Sequence, residues 1–123
     1  MVEQIDDMPA GTIGFRAEGD LTGDDYRKII VPPLRAAIDN GKQIRMLFVI
    51  GEDFRETPSG LVQDIKTGGE LGVGHLSAWE RTAVVTDQKW VKKGLRFFGW
   101  MAPGEVQLFP LADEESARTW VSR

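Results

Sequence analysis

The amino-acid sequence predicts a single α/β domain over residues 1–123, in which helices cover a mixed, mostly parallel β-sheet. Two observations lead to this fold class. Strand-like and helix-like segments alternate along the chain, which is typical of parallel strands joined by helices. The segment Ile44–Ile50 is almost continuously apolar, as expected of a strand that is covered on both faces. A length of 123 residues is also ordinary for one domain.

Two strands are predicted before the first helix. Val2–Ile5 and residues 12–17 alternate apolar and polar side chains with a period of two. Residues 6–11 form the turn between them, because Pro9 and Gly11 favour turn conformations. This hairpin is expected to add one antiparallel strand to the sheet.

The first helix is predicted to begin at Thr22, whose hydroxyl can accept a hydrogen bond from a free backbone N–H group. Asp24 and Asp25 favour the same position, because negative charge stabilises a helix N-terminus. Residues 32–33 are both proline, so we expect a kink or two abutting helices there. Residues 40–41, Asn and Gly, end the helix.

The second half of the chain is again predicted to alternate between strands and helices. Residues 57–60 open a helix after the central strand, and residues 81–86 predict a third buried strand. A helix over residues 89–101 precedes the last strand, Glu105–Phe109. Asp113 is expected to cap a final helix.

The composition limits the chemistry that the protein can perform. The formal net charge is −4, there is no Cys and there is one His. The absence of Cys excludes disulfides, thiolate zinc sites and cysteine nucleophiles, and one His cannot form a His-based metal cluster. The acidic balance argues against nucleic-acid binding. No apolar run is long enough to span a membrane. We therefore expect a cytoplasmic protein without a cofactor or metal, and not an enzyme.

The helix predicted over residues 89–101 is the strongest functional feature. At about 100° per residue, its four cations share one face, and most of its aromatic and aliphatic residues spread over the other. Cations attract anionic head groups, and aromatic rings prefer the membrane boundary. The alternatives are an ordinary helix that covers the sheet, or a face that meets a second copy in a homodimer. The predicted ligand- or membrane-binding residues are Trp90, Lys92, Lys93, Arg96, Phe97, Phe98, Trp100 and Met101.

A second candidate site follows the central strand. Glu52, Asp53 and Phe54 come directly after it, and ligands of open α/β sheets collect at the carboxyl ends of strands. We expect these residues to form the rim of a ligand pocket. The alternative is a solvated loop.

Several segments of the chain together resemble one known family. They are Gly19-Asp20-Leu21-Thr22 with Asp25-Tyr26, Pro32-Pro33-Leu34, Trp79-Glu80-Arg81-Thr82-Ala83-Val84-Val85, Lys89-Trp90 and Phe98-Gly99-Trp100-Met101-Ala102-Pro103-Gly104-Glu105-Val106-Gln107-Leu108-Phe109-Pro110-Leu111. With these segments the chain resembles the SpoIIAA-like family of small, mostly uncharacterised bacterial proteins, which share the layout of STAS domains. The resemblance implies a fold akin to anti-sigma-factor antagonists and to CRAL-TRIO lipid-binding domains, and it implies no reaction.

The same resemblance points to a phospho-switch at Ser59. STAS antagonists carry the phosphorylated Ser in an Asp-Ser-Ser-Gly-Leu pattern at a helix start, and Ser59 stands at that position. Thr57 and Pro58 replace the preceding Asp and Ser. The alternative is a purely structural role, in which Ser59 only caps the helix.

These observations lead to two functional hypotheses. The first is a non-enzymatic module that binds a lipid or small apolar ligand and contacts the inner membrane surface peripherally. The second is a STAS-type, anti-sigma-factor-antagonist-like partner-switching protein that is regulated at Ser59.

Overall fold

A computed structural model describes residues 1–56, 78–98 and 104–123, without the side chains of Tyr26, Glu56 and residues 94–98. Within these ranges, five strands form one sheet: β1 Val2–Ile5, β2 Ile13–Ala17, β4 Ile44–Ile50, β6 Trp79–Val85 and β7 Glu105–Phe109. They lie in the order β1-β2-β4-β6-β7. The first two strands pair antiparallel and the other neighbours pair parallel.

The predicted fold class is confirmed: the protein is an α/β domain with a mixed, mostly parallel sheet and helices. The structure moves the start of β6 to Trp79, two residues before the predicted position. It also adds a small parallel sheet of two strands, β3 Asp20–Leu21 and β5 Arg55–Glu56. Two-residue strands are too short to show a periodic pattern, so the sequence offered no signal for them.

The first helix has three parts, α1 Gly23–Asp25, a π-helical turn Tyr26–Ile30 and α2 Val31–Asp39. The two prolines lie in the first turn of α2, where backbone N–H groups need no partner within the helix. The sequence predicted a kink or two abutting helices at the prolines, and the structure has a π-helical turn that joins two α-helical segments there. Asn40 ends the helix as predicted, and Gly41 follows with a φ of +69°.

The central strands are buried on both faces. One face packs Phe15, Ile44 and Leu34 together with the first helix. The other face packs Leu47 and Val85 against the final helix, α4 Glu114–Ser122. Because both faces of β4 are covered, its sequence is almost continuously apolar and does not alternate between apolar and polar residues.

A 3₁₀ turn, Leu111–Asp113, leads into α4. Asp113 occupies the N-cap position, but its side chain makes no capping hydrogen bond. The prediction placed Asp113 at the correct position, but the capping hydrogen bond that it implied is not formed. The reason is its backbone conformation, with φ −107° and ψ 28°, which is not the extended geometry that aims a capping oxygen at the first turn.

The helix that follows β6 is α3 Lys89–Phe98. It begins at the predicted residue, whereas residues 99–101 of the predicted helix lie outside the described part of the chain. The helix predicted to open at residues 57–60 lies outside it too. No helix in residues 1–56, 78–98 or 104–123 is both long and apolar enough to cross a membrane.

Candidate functional site

Three loops meet at the edge of the sheet where β2, β4 and β6 end. The backbone N–H of Gly51 donates to the carbonyl of Ala17 at 2.9 Å. The backbone N–H of Gly19 donates to Oδ1 of Asp53 at 3.3 Å. These contacts join the loop after β2 to the loop after β4. The carboxyl edge of the sheet, where α/β proteins place their ligands, is therefore built from contacting loops.

Gln88, in the loop after β6, ties the β4 loop to the start of α3. Its side-chain Nε2 lies 3.0 Å from the carbonyl oxygen of Gly51, 2.8 Å from that of Glu52 and 3.4 Å from that of Phe54. Its backbone N–H donates to the hydroxyl of Thr86 at 3.0 Å, and Thr86 is fully buried. One amide group thus satisfies several carbonyls of a loop that has no strand partner at that point.

Trp90 is held in one orientation by two contacts. Its indole Nε1 donates to Oε1 of Gln88 at 3.1 Å. Its ring stacks on the buried ring of Phe54, with 6.0 Å between centroids and 15° between planes. Trp90 nevertheless keeps 50% of its surface exposed. A large apolar side chain that is both exposed and fixed is prepared for contact with a partner, because little conformational freedom is lost on binding.

Positive charge occurs along α3, where three lysines lie within three residues of Trp90. Lys89 and Lys93 are exposed, and Lys92 is half-buried. None of the three forms an ion pair with a carboxylate of the described residues. We refer to Trp90, Lys89, Lys92 and Lys93 together as the Trp90 surface.

Negative charge occurs in the loop that contacts Trp90 through Phe54. Glu52 and Asp53 are exposed and come just before Phe54, on which Trp90 stacks. Asp53 uses one carboxylate oxygen for the loop contact with Gly19, whereas Glu52 gives only its backbone carbonyl to Gln88. Exposed basic and exposed acidic side chains therefore both occur in the segments next to Trp90 and Phe54.

The structure joins the two sites that the sequence predicted separately. Phe54 of the predicted pocket rim and Trp90 of the predicted membrane helix are in contact. Arg96, Phe97 and Phe98 belong to α3, but their side chains are outside the described part. The same is true of the whole residues Ser59, Trp100 and Met101.

Sequence reasoning missed Gln88. A neutral amide before a helix carries no signal of its own, and its role depends on carbonyls about 35 residues earlier that the sheet brings beside it. Lys89 was placed on the basic face but not among the predicted binding residues. Its exposure next to Trp90 adds it to the site.

The groups at this edge of the sheet are an aromatic ring and charged side chains. Across the described ranges, no three His, Cys, Asp or Glu side chains gather as a metal site would require. The edge presents an oriented indole ring, together with exposed lysines of α3 and the exposed acidic residues Glu52 and Asp53.

Comparison with known proteins identifies the fold family. A family model described as SpoIIAA-like matches residues 12–122 of the chain. No curated protein matches it. Among solved structures, it is similar to an uncharacterised protein from the DUF3478 family with a SpoIIAA-like fold, from Shewanella loihica PV-4. The TM-score is 0.68 at 22% identity, over 98% of this chain and 93% of the other. Likeness at this identity shows the fold alone.

Proposed function

The chain belongs to the SpoIIAA-like family, and we propose that this member is a non-enzymatic binding module that contacts membranes peripherally through the Trp90 surface. The proposal locates the protein in the cytoplasm, at the inner membrane surface. The observation that carries it is an indole ring that is 50% exposed and yet fixed by Gln88 and Phe54.

The chemistry of the Trp90 surface fits a lipid head-group layer. Indole rings prefer the boundary between head groups and acyl chains, because one end of the ring system is polar and the rest is apolar. Each Lys near an anionic membrane contributes about 1 kcal/mol. Lys89, Lys92 and Lys93 have no described ion-pair partner that this attraction would have to displace.

The charge distribution also sets an orientation. Glu52 and Asp53 are exposed in the loop that contacts Trp90 through Phe54, and anionic lipids repel them. The protein is therefore expected to lie with α3 towards the membrane and the acidic loop tilted away.

A lipid or small apolar ligand beneath α3 is the second part of the proposal. Val91, one residue after Trp90, packs against the core face formed with the first helix, so α3 is the element that such a ligand would displace or line. Native mass spectrometry of the purified protein, followed by denaturing lipid extraction, tests this part. Recovery of a stoichiometric fatty acid or phospholipid supports it, and a ligand-free mass contradicts it.

The membrane contact is tested by co-sedimentation with phosphatidylcholine vesicles that contain or lack phosphatidylglycerol. Lys93→Glu removes one positive charge and adds one negative charge, so affinity for the anionic vesicles should fall by roughly thirtyfold, or about 2 kcal/mol. Reversal of Lys92, Lys93 and Arg96 together should abolish binding. Trp90→Ala should weaken binding to both kinds of vesicle.

Lys42→Glu is the matched control. Lys42 is exposed and precedes β4, at the opposite edge of the sheet from Trp90, and its substitution changes the net charge by the same amount. Equal losses in the Lys42 and Lys93 variants would mean that net charge alone drives binding, and the assignment to the Trp90 surface would then be wrong.

Partner switching through Ser59 is the alternative proposal, and membership of the SpoIIAA-like family is its support. Ser59→Asp mimics the added negative charge, whereas Ser59→Ala removes the hydroxyl. Affinity purification with both variants should recover different sets of proteins. Identical recovery from wild type, Ser59→Asp and Ser59→Ala would contradict the switch.

A further inference from the structure

The final helix, α4, is short and buries few of its side chains. The structure describes all nine of its residues, and of these Ala117 and Val121 are buried. A helix of this length is not stable alone in water. Asp113 gives it no side-chain capping bond. Contacts beyond apolar burial therefore contribute much of what holds α4 on the sheet.

Charged contacts hold the start of α4. The carboxylate of Glu114 accepts hydrogen bonds from both terminal nitrogens of Arg16, on β2, at 3.2 Å. Arg118, one turn further along α4, also donates to Glu114 at 3.2 Å and pairs with Asp7, in the turn after β1, at 3.4 Å. The first turn of the helix is therefore tied both to β2 and to the turn that precedes it.

Two further arginines hold the end of α4. Arg45 of β4 donates to the carbonyl oxygen of Val121 at 3.2 Å, and Arg81 of β6 donates to that of Trp120 at 2.8 Å. The last carbonyl groups of a helix have no partner within it, so these arginines supply one. The guanidinium of Arg81 also lies over the ring of Trp120, 5.2 Å from its centroid, which adds a cation–π contact.

The sheet face beneath α4 is apolar and covered. Its buried side chains on β4 and β6, each at most 1% exposed, are those of Leu47, Val49, Ala83 and Val85. They form one core cluster with the two buried residues of α4. Val91 of α3 packs against the other core cluster, so this face is distinct from the one beneath the Trp90 surface.

We propose that α4 is a lid, latched by arginines at both ends, which opens as one unit while the sheet and the first helix stay folded. Local opening occurs in elements that bury few apolar contacts, and α4 meets that condition. Opening exposes the apolar face of β4 and β6 to water, so the open state is a minor population. An apolar molecule that binds this face stabilises the open state, and the arginine latch thereby controls access to it.

Native-state hydrogen exchange, followed by NMR and corrected for intrinsic exchange rates, tests the lid. Amides of α4 should exchange at least about tenfold faster than those of β4. Ile44→Val removes a methylene from the core face opposite α4. It should speed exchange in β4 about fivefold and leave α4 unchanged. Equal acceleration of both elements would mean that α4 opens only with the whole protein, and would overturn the lid.

Variants at the two ends of α4 test the latch. Glu114→Ala and Arg81→Met should each speed exchange along the whole of α4 by about tenfold, because hydrogen bonds to charged groups are lost. Fraying would instead confine the acceleration to the altered end, and that result, or no acceleration, would overturn the latch. Glu115→Ala is the control: Glu115 is exposed in the same turn, and its loss should leave exchange unchanged.

Thiol labelling tests whether opening uncovers the sheet. The chain has no Cys, so an introduced Cys is its only thiol. Ala83→Cys lies beneath α4 and Ala17→Cys lies on the opposite face, and both alanines are fully buried. Iodoacetamide should modify the Ala83→Cys variant at least about tenfold faster, and equal rates would overturn the lid. These measurements involve neither vesicles nor Trp90, so failure of the lid and failure of the membrane proposal are distinguishable.

Discussion

Gly104, just before β7, shows how one residue can depend on the absence of a side chain. Its φ is +72°, and a Cβ there would lie 2.5 Å from the carbonyl oxygen of Trp79 and 2.8 Å from that of Glu80. Gly11, in the turn after β1, has a similar φ of +81° but open space around the Cβ position. Both glycines adopt a left-handed backbone conformation, and of the two only Gly104 is in close contact with β6.

We predict that Gly104→Ala destabilises the protein more than Gly11→Ala. The left-handed conformation alone costs a non-glycine residue about 1 kcal/mol. The overlap with two carbonyls adds about 1–3 kcal/mol at Gly104. Urea denaturation of both variants measures the difference, and equal free energies of unfolding would show that β6 yields freely to a side chain at this position.

At the scale of elements, two helix starts with similar sequences differ in their contacts. Thr22 and Asp25 bond to each other's backbone: the N–H of Asp25 donates to the Thr22 hydroxyl at 3.2 Å, and the N–H of Thr22 donates to Oδ2 of Asp25 at 3.0 Å. This is the reciprocal capping box. Asp113, before α4, makes no such bond.

This contrast gives a second prediction. Thr22→Ala should lower the free energy of unfolding by about 1 kcal/mol, because a capping hydrogen bond is lost. Asp113→Ala should lower it by only a few tenths, roughly 0.3 kcal/mol, since only its charge near the helix start is removed. Thermal denaturation of the two variants provides the comparison. A larger loss at Asp113 than at Thr22 would contradict the observed capping.

At the scale of the whole molecule, a cluster of ion pairs connects α4 to the sheet. Both terminal nitrogens of Arg16, on β2, donate to the carboxylate of Glu114 at 3.2 Å. Arg118 also donates to Glu114 at 3.2 Å and pairs with Asp7 at 3.4 Å. The side chain of Glu114 is 24% exposed, so solvent screens these pairs less than it screens surface pairs.

The third prediction compares Glu114→Ala with Glu115→Ala. Both changes remove one negative charge from the first turn of α4, and Glu115 is exposed. Glu114→Ala should cost about 1–2 kcal/mol, because two arginines lose a shared acceptor. Glu115→Ala should change stability by less than about 0.5 kcal/mol. Equal urea midpoints for the two variants would show that the cluster contributes nothing beyond the charge.

The sequence by itself determined the type and position of most described elements. The apolar run of Ile44–Ile50, the prolines at residues 32–33 and the Asn-Gly pair at residues 40–41 act locally, because backbone preferences and burial periodicity are properties of neighbouring residues. It also determined the family, which the match over residues 12–122 confirms.

Only the tertiary structure decided the site. Phe54 stacks on Trp90, and the side chain of Gln88 donates hydrogen bonds to carbonyl groups of the loop after β4. These contacts join residues that are 34 to 37 positions apart in the sequence. Such contacts exist because β4 and β6 lie side by side in parallel, so that the loops at their carboxyl ends meet. A side chain's chemistry can be read from its own position, but its partner is set by the strand order, which no local pattern contains.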